Sequence, residues 1–295
     1  MDYYKEIKNK IIDNETYERV KDYSKERHRV ITYYEIGKLL NEAGSKYGDN
    51  IINEYSKKLV IEVGKKYNRR TLFRMRQFYR TFSNEKVSPL VTQLTWTHYL
   101  VLLSVKDSNA VNYYIDQIFK RNLSKRQLEE VIRSKEYERL LDETKNKIIK
   151  EEKLEVKDLV PNPILIKNKN NIEIVTEKVL HNLILEDIPS FMKELGNGYS
   201  FIDDEYKIKI GDTYHKIDLL LFNIKYNAYV VVELKVNEFK VEYISQVQKY
   251  MNYIDKNIKE ISNNTIGILI CKRENKYVIE YCSDERIVIR KYVLT

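Results

Sequence analysis

The stretch that most constrains this chain is KIDLLLFNIKYNAYVVVELKV, residues 216–236. Two apolar runs, Lys216–Phe222 and Ala228–Val236, flank a polar turn at Asn223–Asn227. Runs of this kind, bounded by turn residues, read as buried strands, and the short turn makes them a hairpin. Three charges break the pattern. Asp218 lies inside the first strand, and Glu233 and Lys235 lie at the end of the second. Side chains alternate along a strand, so Glu233 and Lys235 share one face, and hairpin pairing can bring Asp218 beside them. Charges emerging from an apolar sheet are costly alone. A divalent cation would offset the repulsion between the carboxylates. Hard oxygen donors suit Mg²⁺ or Mn²⁺. A metal there can hold a phosphate oxygen, acidify a water and stabilise a leaving oxygen, while Lys235 orients the water or neutralises charge on the phosphorane. The plainer alternative is a strand-end ion pair of Lys235 with Glu233 or Asp218.

The sequence around this hairpin implies two domains. Residues 1–150 read as helical, with apolar residues at three and four spacing through Tyr33–Leu40, Ile51–Val63, Leu72–Phe82, Tyr99–Val105, Val111–Phe119 and Leu128–Leu141. Breaks are expected at Gly44, Gly48, Gly64 and Pro89, and Ser124 with Gln127 forms a capping box. Glu143–Lys157 is a charged helical stretch, stopped by Val160-Pro161-Asn162-Pro163. Beyond it, Ile172–Leu185 reads as a helix and Phe191–Leu195 as its continuation, ended by Gly196-Asn197-Gly198. Strands are expected at Tyr206–Ile210, Lys216–Phe222 and Ala228–Val236. A helix over Glu242–Ile261 follows, then strands at Thr265–Cys271, Tyr277–Tyr281 and Ile287–Val293. The fold class is α+β overall: an all-α domain at 1–155, a linker at 156–171, and a mixed-sheet α/β domain at 172–295.

Charge divides along the same line. Residues 1–150 hold 31 basic and 21 acidic side chains, giving +10; residues 151–295 hold 21 and 23, giving −2. Between Lys57 and Lys86, ten basic residues stand against Glu62 and Glu85. They include Lys65, Lys66, Arg69, Arg70, Arg74, Arg76 and Arg80. Such a field attracts polyanions, and the planar Arg fork suits phosphate. The alternative is a solvated helix surface. KKLVIEVGKKYNRRTLFRMRQFYRTF has the form helix, glycine turn, helix, compatible with a helix-turn-helix or a plain helical hairpin. On its second helix Leu72, Met75, Tyr79 and Phe82 should face the core, with Arg70, Arg74, Arg76 and Arg80 flanking them on the surface.

Several chemistries are disfavoured. Cys271 and Cys282 are the only cysteines, too few for a four-thiolate zinc site or a disulfide framework. His28, His98, His181 and His215 are scattered without metal spacing; His98 reads as a packed core residue, and His215 is a weaker candidate for phosphate contact. No Gly-rich phosphate loop argues for a nucleotide cofactor. The N-terminus has no apolar signal region, and no apolar run reaches membrane-span length, so a cytoplasmic location is expected. The 25 tyrosines fit an AT-rich codon bias, though Tyr also offers surface for sugars and bases.

Asp218, the hairpin spacing and Glu233-Leu234-Lys235 together resemble the PD-(D/E)xK nuclease superfamily. KELGNGYSFI, KIDLLLF, VVVELKV, SQVQKYMNYID and TIGILICKRENKYVIEY are similar, in order, to the YhcG-type nuclease family. YYEIGKLL, RRTLFRMRQFY, LTWTHYLVLL and RSKEYERL resemble that family's helical N-terminal domain, and the likeness covers roughly residues 30–295. The resemblance implies a restriction-endonuclease-like core of order α-β-β-β-α-β, with Asp218 and Glu233 on the metal and Lys235 assisting the water. It implies a further glutamate from the first core helix, Glu177, with Glu173 as fallback. Gln246 matches a family position that touches metal-bound water or DNA; Gln248 is a weaker match. Three positions depart from the pattern: Pro189 should kink the helix, Ser245 replaces a usual Gly, and Ile217-Asp218 stands for Pro-Asp. The reading is a Mg²⁺-dependent nuclease acting on DNA, as a homodimer by analogy. A non-catalytic nucleic-acid-binding module, and a partner-controlled subunit of a defence or mobile-element complex, remain as alternatives.

Overall fold

A computed structural model of the protein describes residues 2–19, 25–83, 94–155, 158, 160–274, 279 and 284–295. Pro89, Lys86, Glu85 and Cys282 lie outside this set, as does most of the expected strand at Tyr277–Tyr281. The chain divides into two compact units, Met1–Ser134 and Lys135–Thr295.

The first unit is helical. Its elements are α1 (Tyr3–Arg19), α2 (Lys25–Tyr47), α3 (Asn50–Glu62), a 3₁₀ turn at Lys65–Tyr67, α4 (Arg69–Phe82), α5 (Trp96–Leu102), α6 (Ser108–Arg121) and α7 (Lys125–Arg133). Gly44 does not break α2, which runs through to Tyr47 and ends at Gly48, where φ is +82°. A glycine serves a different purpose at Gly37. A Cβ there would lie 2.2 Å from the Met75 carbonyl oxygen, so glycine permits the close approach of α2 and α4. Ser124 and Gln127 form the expected capping box of α7. That helix stops at Arg133 rather than Leu141, because Lys135 turns into the left-handed region at φ +56°. His98 is a structural residue: Nδ1 meets Thr95 Oγ1 at 2.9 Å and Nε2 meets the Leu123 carbonyl at 3.0 Å.

The second unit is a six-stranded mixed sheet with helices on both faces. It contains α8 (Asp142–Ile149), β1 (Ile164–Ile166), α9 (Glu177–Glu186), α10 (Ile188–Leu195), β2 (Tyr199–Ile210), β3 (Thr213–Asn223), β4 (Ala228–Leu234), α11 (Val241–Asn257), β5 (Ile266–Cys271) and β6 (Ile287–Leu294). Strand order is β1-β6-β5-β4-β3-β2, parallel from β1 to β4 and antiparallel from β4 to β2. Leu180, Leu183, Ile184, Phe191 and Leu195 pack on one face against Leu219, Leu221, Val230, Val232 and Leu234. Ile244, Val247, Met251 and Ile254 of α11 pack on the other against Ile217, Leu220, Val231 and Leu269. Gly267 of β5 admits α11 closely, since a Cβ there would meet Val247 Cγ1 at 2.4 Å. Three expectations are corrected. The α8 helix ends at Ile149 rather than Lys157, with Glu151 at φ +56°. The segment read as linker contains β1, which pairs parallel with β6. And α9 begins at Glu177 rather than Ile172, because Thr176 caps it by accepting the Val179 N–H at 3.2 Å. At Pro189 the helix does break, with Asp187 capping α10 through the Ser190 N–H at 3.3 Å.

Candidate active site

The β3–β4 ladder runs from Asn223↔Ala228 to Leu219↔Val232 and stops. The next residues on the two strands are Asp218 and Glu233, so the register sets both carboxylates at the open end of the ladder. Asp218 Oδ2 accepts the Leu234 N–H at 2.7 Å, in place of a backbone acceptor. The Asp218 carbonyl meets His181 Nε2, from α9, at 3.1 Å. On the β2 side, pairing holds at Asp204↔Leu219 and Tyr206↔Ile217, while Glu205 between them sits at φ +47°. The strand is thus irregular at Asp218: Ile217 packs toward α11 and Leu219 toward α9, where a regular strand would send both the same way.

Glu233 is 2% exposed. Its Oε1 accepts from Lys235 Nζ at 2.7 Å and from Gln246 Nε2 at 2.7 Å, whereas the buried Oε2 has no partner. Burial, reinforced by Asp218, pushes the Glu233 carboxyl up to about 7 against the pull of Lys235. Burial also raises Asp218, although the Leu234 N–H and Lys235 oppose it. For Lys235, burial disfavours the ammonium, but Glu233 and Glu177 outweigh it and the pKa is raised. Lys235 Nζ lies 5.3 Å from the Tyr243 ring centre, and its backbone N–H donates to Ile270 at 2.8 Å. Gln246 Nε2 also donates to Tyr250 Oη at 3.0 Å.

The structure therefore brings Asp218, Glu233, Lys235 and Gln246 together. Glu177, the first residue of α9, is half-exposed and reaches Lys235 at 3.8 Å rather than another carboxylate. Glu173 is exposed in a bend before the helix. Gln248 points elsewhere, to Asp284 at 3.2 Å. His181, Tyr243 and Tyr250 were not singled out for this site from the sequence. Two of them had a signal, since His181 is four residues after Glu177 and Tyr250 four after Gln246, on the same helix faces. Among the described residues no group of three or more His, Cys, Asp or Glu side chains is arranged to hold a metal ion. A divalent cation nevertheless fits the donor set, because Glu233 Oε2 is a buried oxygen left without a partner beside a second carboxylate. Such ions commonly keep several waters and take one or two carboxylates.

The basic run of the helical unit is less uniform than expected. Arg76 is 4% exposed, with its Nη2 2.8 Å from Asp49, so it does not flank the stripe on the surface. The stripe itself is Leu72, Met75, Phe78 and Phe82, with Tyr79 half-buried, because Phe78 continues the helical repeat inward. Lys66 pairs with Glu15 and Glu18. Arg80 Nε donates to Asn41 at 2.7 Å, and Arg69 lies 5.3 Å over the Phe73 ring. Lys65 and Arg70 are exposed, and Arg74 is half-buried.

Residues 157–295 match the YhcG PDDEXK nuclease domain, and residues 6–139 match the DUF1016 N-terminal domain. An Escherichia coli (strain K12) protein named "Putative nuclease YhcG" is 25% identical over 283 residues, covering 81% of this chain and 76% of that one. Among solved structures, a repair endonuclease from Pyrococcus abyssi aligns over 41% of this chain and 48% of its own, at 23% identity and a TM-score of 0.30. A complex of EndoMS with double-stranded DNA aligns over 42% and 48%, at 18% identity and a TM-score of 0.29. The chain spans about half the length of each of these two. Together the two domain matches account for residues 6–139 and 157–295, in that order along the chain.

Proposed function

We propose that the C-terminal unit is a divalent-metal-dependent nuclease that hydrolyses DNA phosphodiester bonds, with Mg²⁺ or Mn²⁺ held by Asp218 and Glu233. The observation that carries this reading is the division of labour on Glu233: Oε1 is saturated by Lys235 and Gln246, and Oε2 is buried and free. A bound divalent ion supplies charge to hold a phosphate oxygen and to lower the pKa of a water. The protein's own groups do the rest. The Leu234 N–H fixes Asp218, and Gln246 fixes Glu233 with Oε2 turned free. Lys235 keeps an ammonium beside them, where negative charge builds on the attacked phosphate. Glu177 stands at the rim, close enough to Lys235 to tune its position. The net +10 of residues 1–150 supplies a field for polyanion binding, through Lys65, Arg69, Arg70, Arg74 and Arg80.

The deciding experiment is a cleavage panel of linear, nicked, branched and single-stranded DNA, and RNA, with Mg²⁺, Mn²⁺ or EDTA. Metal-dependent cutting of at least one DNA, lost in Asp218→Asn, is the expected result. Binding without cutting under every condition would favour the non-catalytic module instead.

A further inference from the structure

The β2–β3 hairpin extends past the sheet. β3 pairs with β4 only as far as Leu219, whereas β2 and β3 stay paired out to Ile210↔Thr213. Ile208 on this extension is buried in the α11 core, and His215 is its direct partner on β3, so His215 faces α11 as well. There it meets Lys249: Nζ lies 3.4 Å from His215 Nδ1 and 5.3 Å from the centre of the Tyr250 ring. The His215 and Tyr250 rings are 6.3 Å apart.

Both residues are half-buried, and among the described residues Lys249 has no carboxylate partner. An ammonium drawn toward a protein surface is stabilised by any negative group that comes within reach. Here its polar neighbour is an imidazole, which brings no negative charge. Where Nδ1 accepts from Lys249, a neutral imidazole presents its N–H at Nε2, so both side chains can donate to an anion. Tyr250 links them to the site, because Gln246 Nε2 donates both to Glu233 Oε1 and to Tyr250 Oη. The pair therefore stands one tyrosine ring from the buried carboxylate.

We propose that Lys249 and His215 form an anion subsite that holds a backbone phosphate of a DNA strand next to the phosphate undergoing cleavage. This rests on the nuclease reading for its substrate, but it is a binding statement and can be tested without turnover. A lysine is a point charge for phosphate, and the imidazole N–H adds direction. One neutralised phosphate contact lowers the dependence of log K on log salt by about one unit.

The test measures duplex DNA binding against salt in an Asp218→Asn background, with Lys249→Gln, Lys249→Arg, His215→Gln and the double Gln variant. Lys225→Gln, on the turn at the opposite end of β4, is the control. The proposal expects Lys249→Gln to weaken binding and reduce the slope by about one unit. Lys249→Arg should keep the slope, and the control should not lose affinity to the same extent. In the active background Lys249→Gln should raise KM more than it lowers kcat. Unchanged affinity and slope in the folded double variant, or an equal loss in Lys225→Gln, overturns it. So does a parent protein that fails to bind DNA at low salt. If the parent binds but never cuts, the nuclease reading fails, and the slopes alone decide the subsite.

Discussion

The backbone N–H of Leu234 donates to Oδ2 of Asp218 at 2.7 Å. The carboxylate thus takes the place of a strand carbonyl where the β3–β4 ladder ends, and its position is tied to the strand that carries Glu233 and Lys235. Because the fixing donor is a backbone group, an isosteric amide at 218 can still accept it. Asp218→Asn should therefore fold and bind DNA like the parent while cleavage drops to background. Glu233→Gln should do the same. Gel assays of binding and cutting on one DNA check both, and parental cutting by either variant would mean the site is misassigned.

Gln246 is a positioning residue in this scheme, since it reaches Glu233 Oε1 and leaves Oε2 alone. Partners of metal-binding groups typically contribute about 10–100-fold in metal affinity or activity. Gln246→Ala should fall in that range, with Mn²⁺ affinity by calorimetry weakened in step. A loss of cutting with unchanged metal affinity would instead place Gln246 on the substrate.

The hairpin, the shared face of Glu233 and Lys235 on β4 and the nearness of Asp218 to them were legible because strand alternation and one short turn set them. Gln246 was singled out only through resemblance, as a contact to metal-bound water or DNA; its pairing with Glu233 was not foreseen, since no local rule says which flank of α11 meets β4. What stayed hidden was the irregularity at Asp218. Periodicity assumes a regular strand, and here Ile217 and Leu219 turn to opposite faces, with Glu205 across the ladder in a left-handed conformation. Strand β1 was hidden for a different reason. Ile164–Ile166 is too short for an alternation signal and forms only by pairing with β6, more than a hundred residues on. Arg76 looked like surface because charge on a helix usually is, and nothing in the sequence announces Asp49 as its partner.

Metal-free stability should depend on pH in a defined direction. Burial raises Glu233 to about 7, above its ordinary value, and raises Asp218 as well. A raised carboxyl means that the folded state holds the proton more tightly than the unfolded chain. The stabilising contribution is fully present below the unfolded pKa and is lost as pH rises through the folded one. In EDTA, the melting temperature should fall between pH 5 and pH 8, with Mg²⁺ recovering part of the loss at pH 8, because an ion favours the ionised carboxylates. Glu233→Gln should flatten the pH dependence. A melting temperature that rises over this window and is insensitive to Mg²⁺ would contradict the assignment.

Arg76 should behave differently from its neighbours on α4. Arg70 is exposed, Arg74 is half-buried, and Arg80 contacts the neutral Asn41, so all three remain available to phosphate. Arg76 is buried against α2, its guanidinium carbon 3.3 Å from the place a Cβ would take on Gly44, and Asp49 holds its Nη2. Replacing Arg76 by Ala removes packing as well as charge. Asp49 is itself largely exposed, so little of the loss comes from stranding a buried acid. Arg76→Ala should cost about 1–3 kcal/mol of stability, seen as an earlier urea midpoint. Once folded at low temperature, it should bind DNA with a nearly parental salt slope. Arg70→Ala, Arg74→Ala and Arg80→Ala should do the reverse. Each should leave the urea midpoint almost in place, weaken binding of all sequences about equally, and reduce the slope by about one unit. A base-reading arginine would instead lose about 1–3 kcal/mol on one sequence only. If the triple variant, still folded, binds DNA like the parent at low salt, the α4 surface is not where this chain meets nucleic acid.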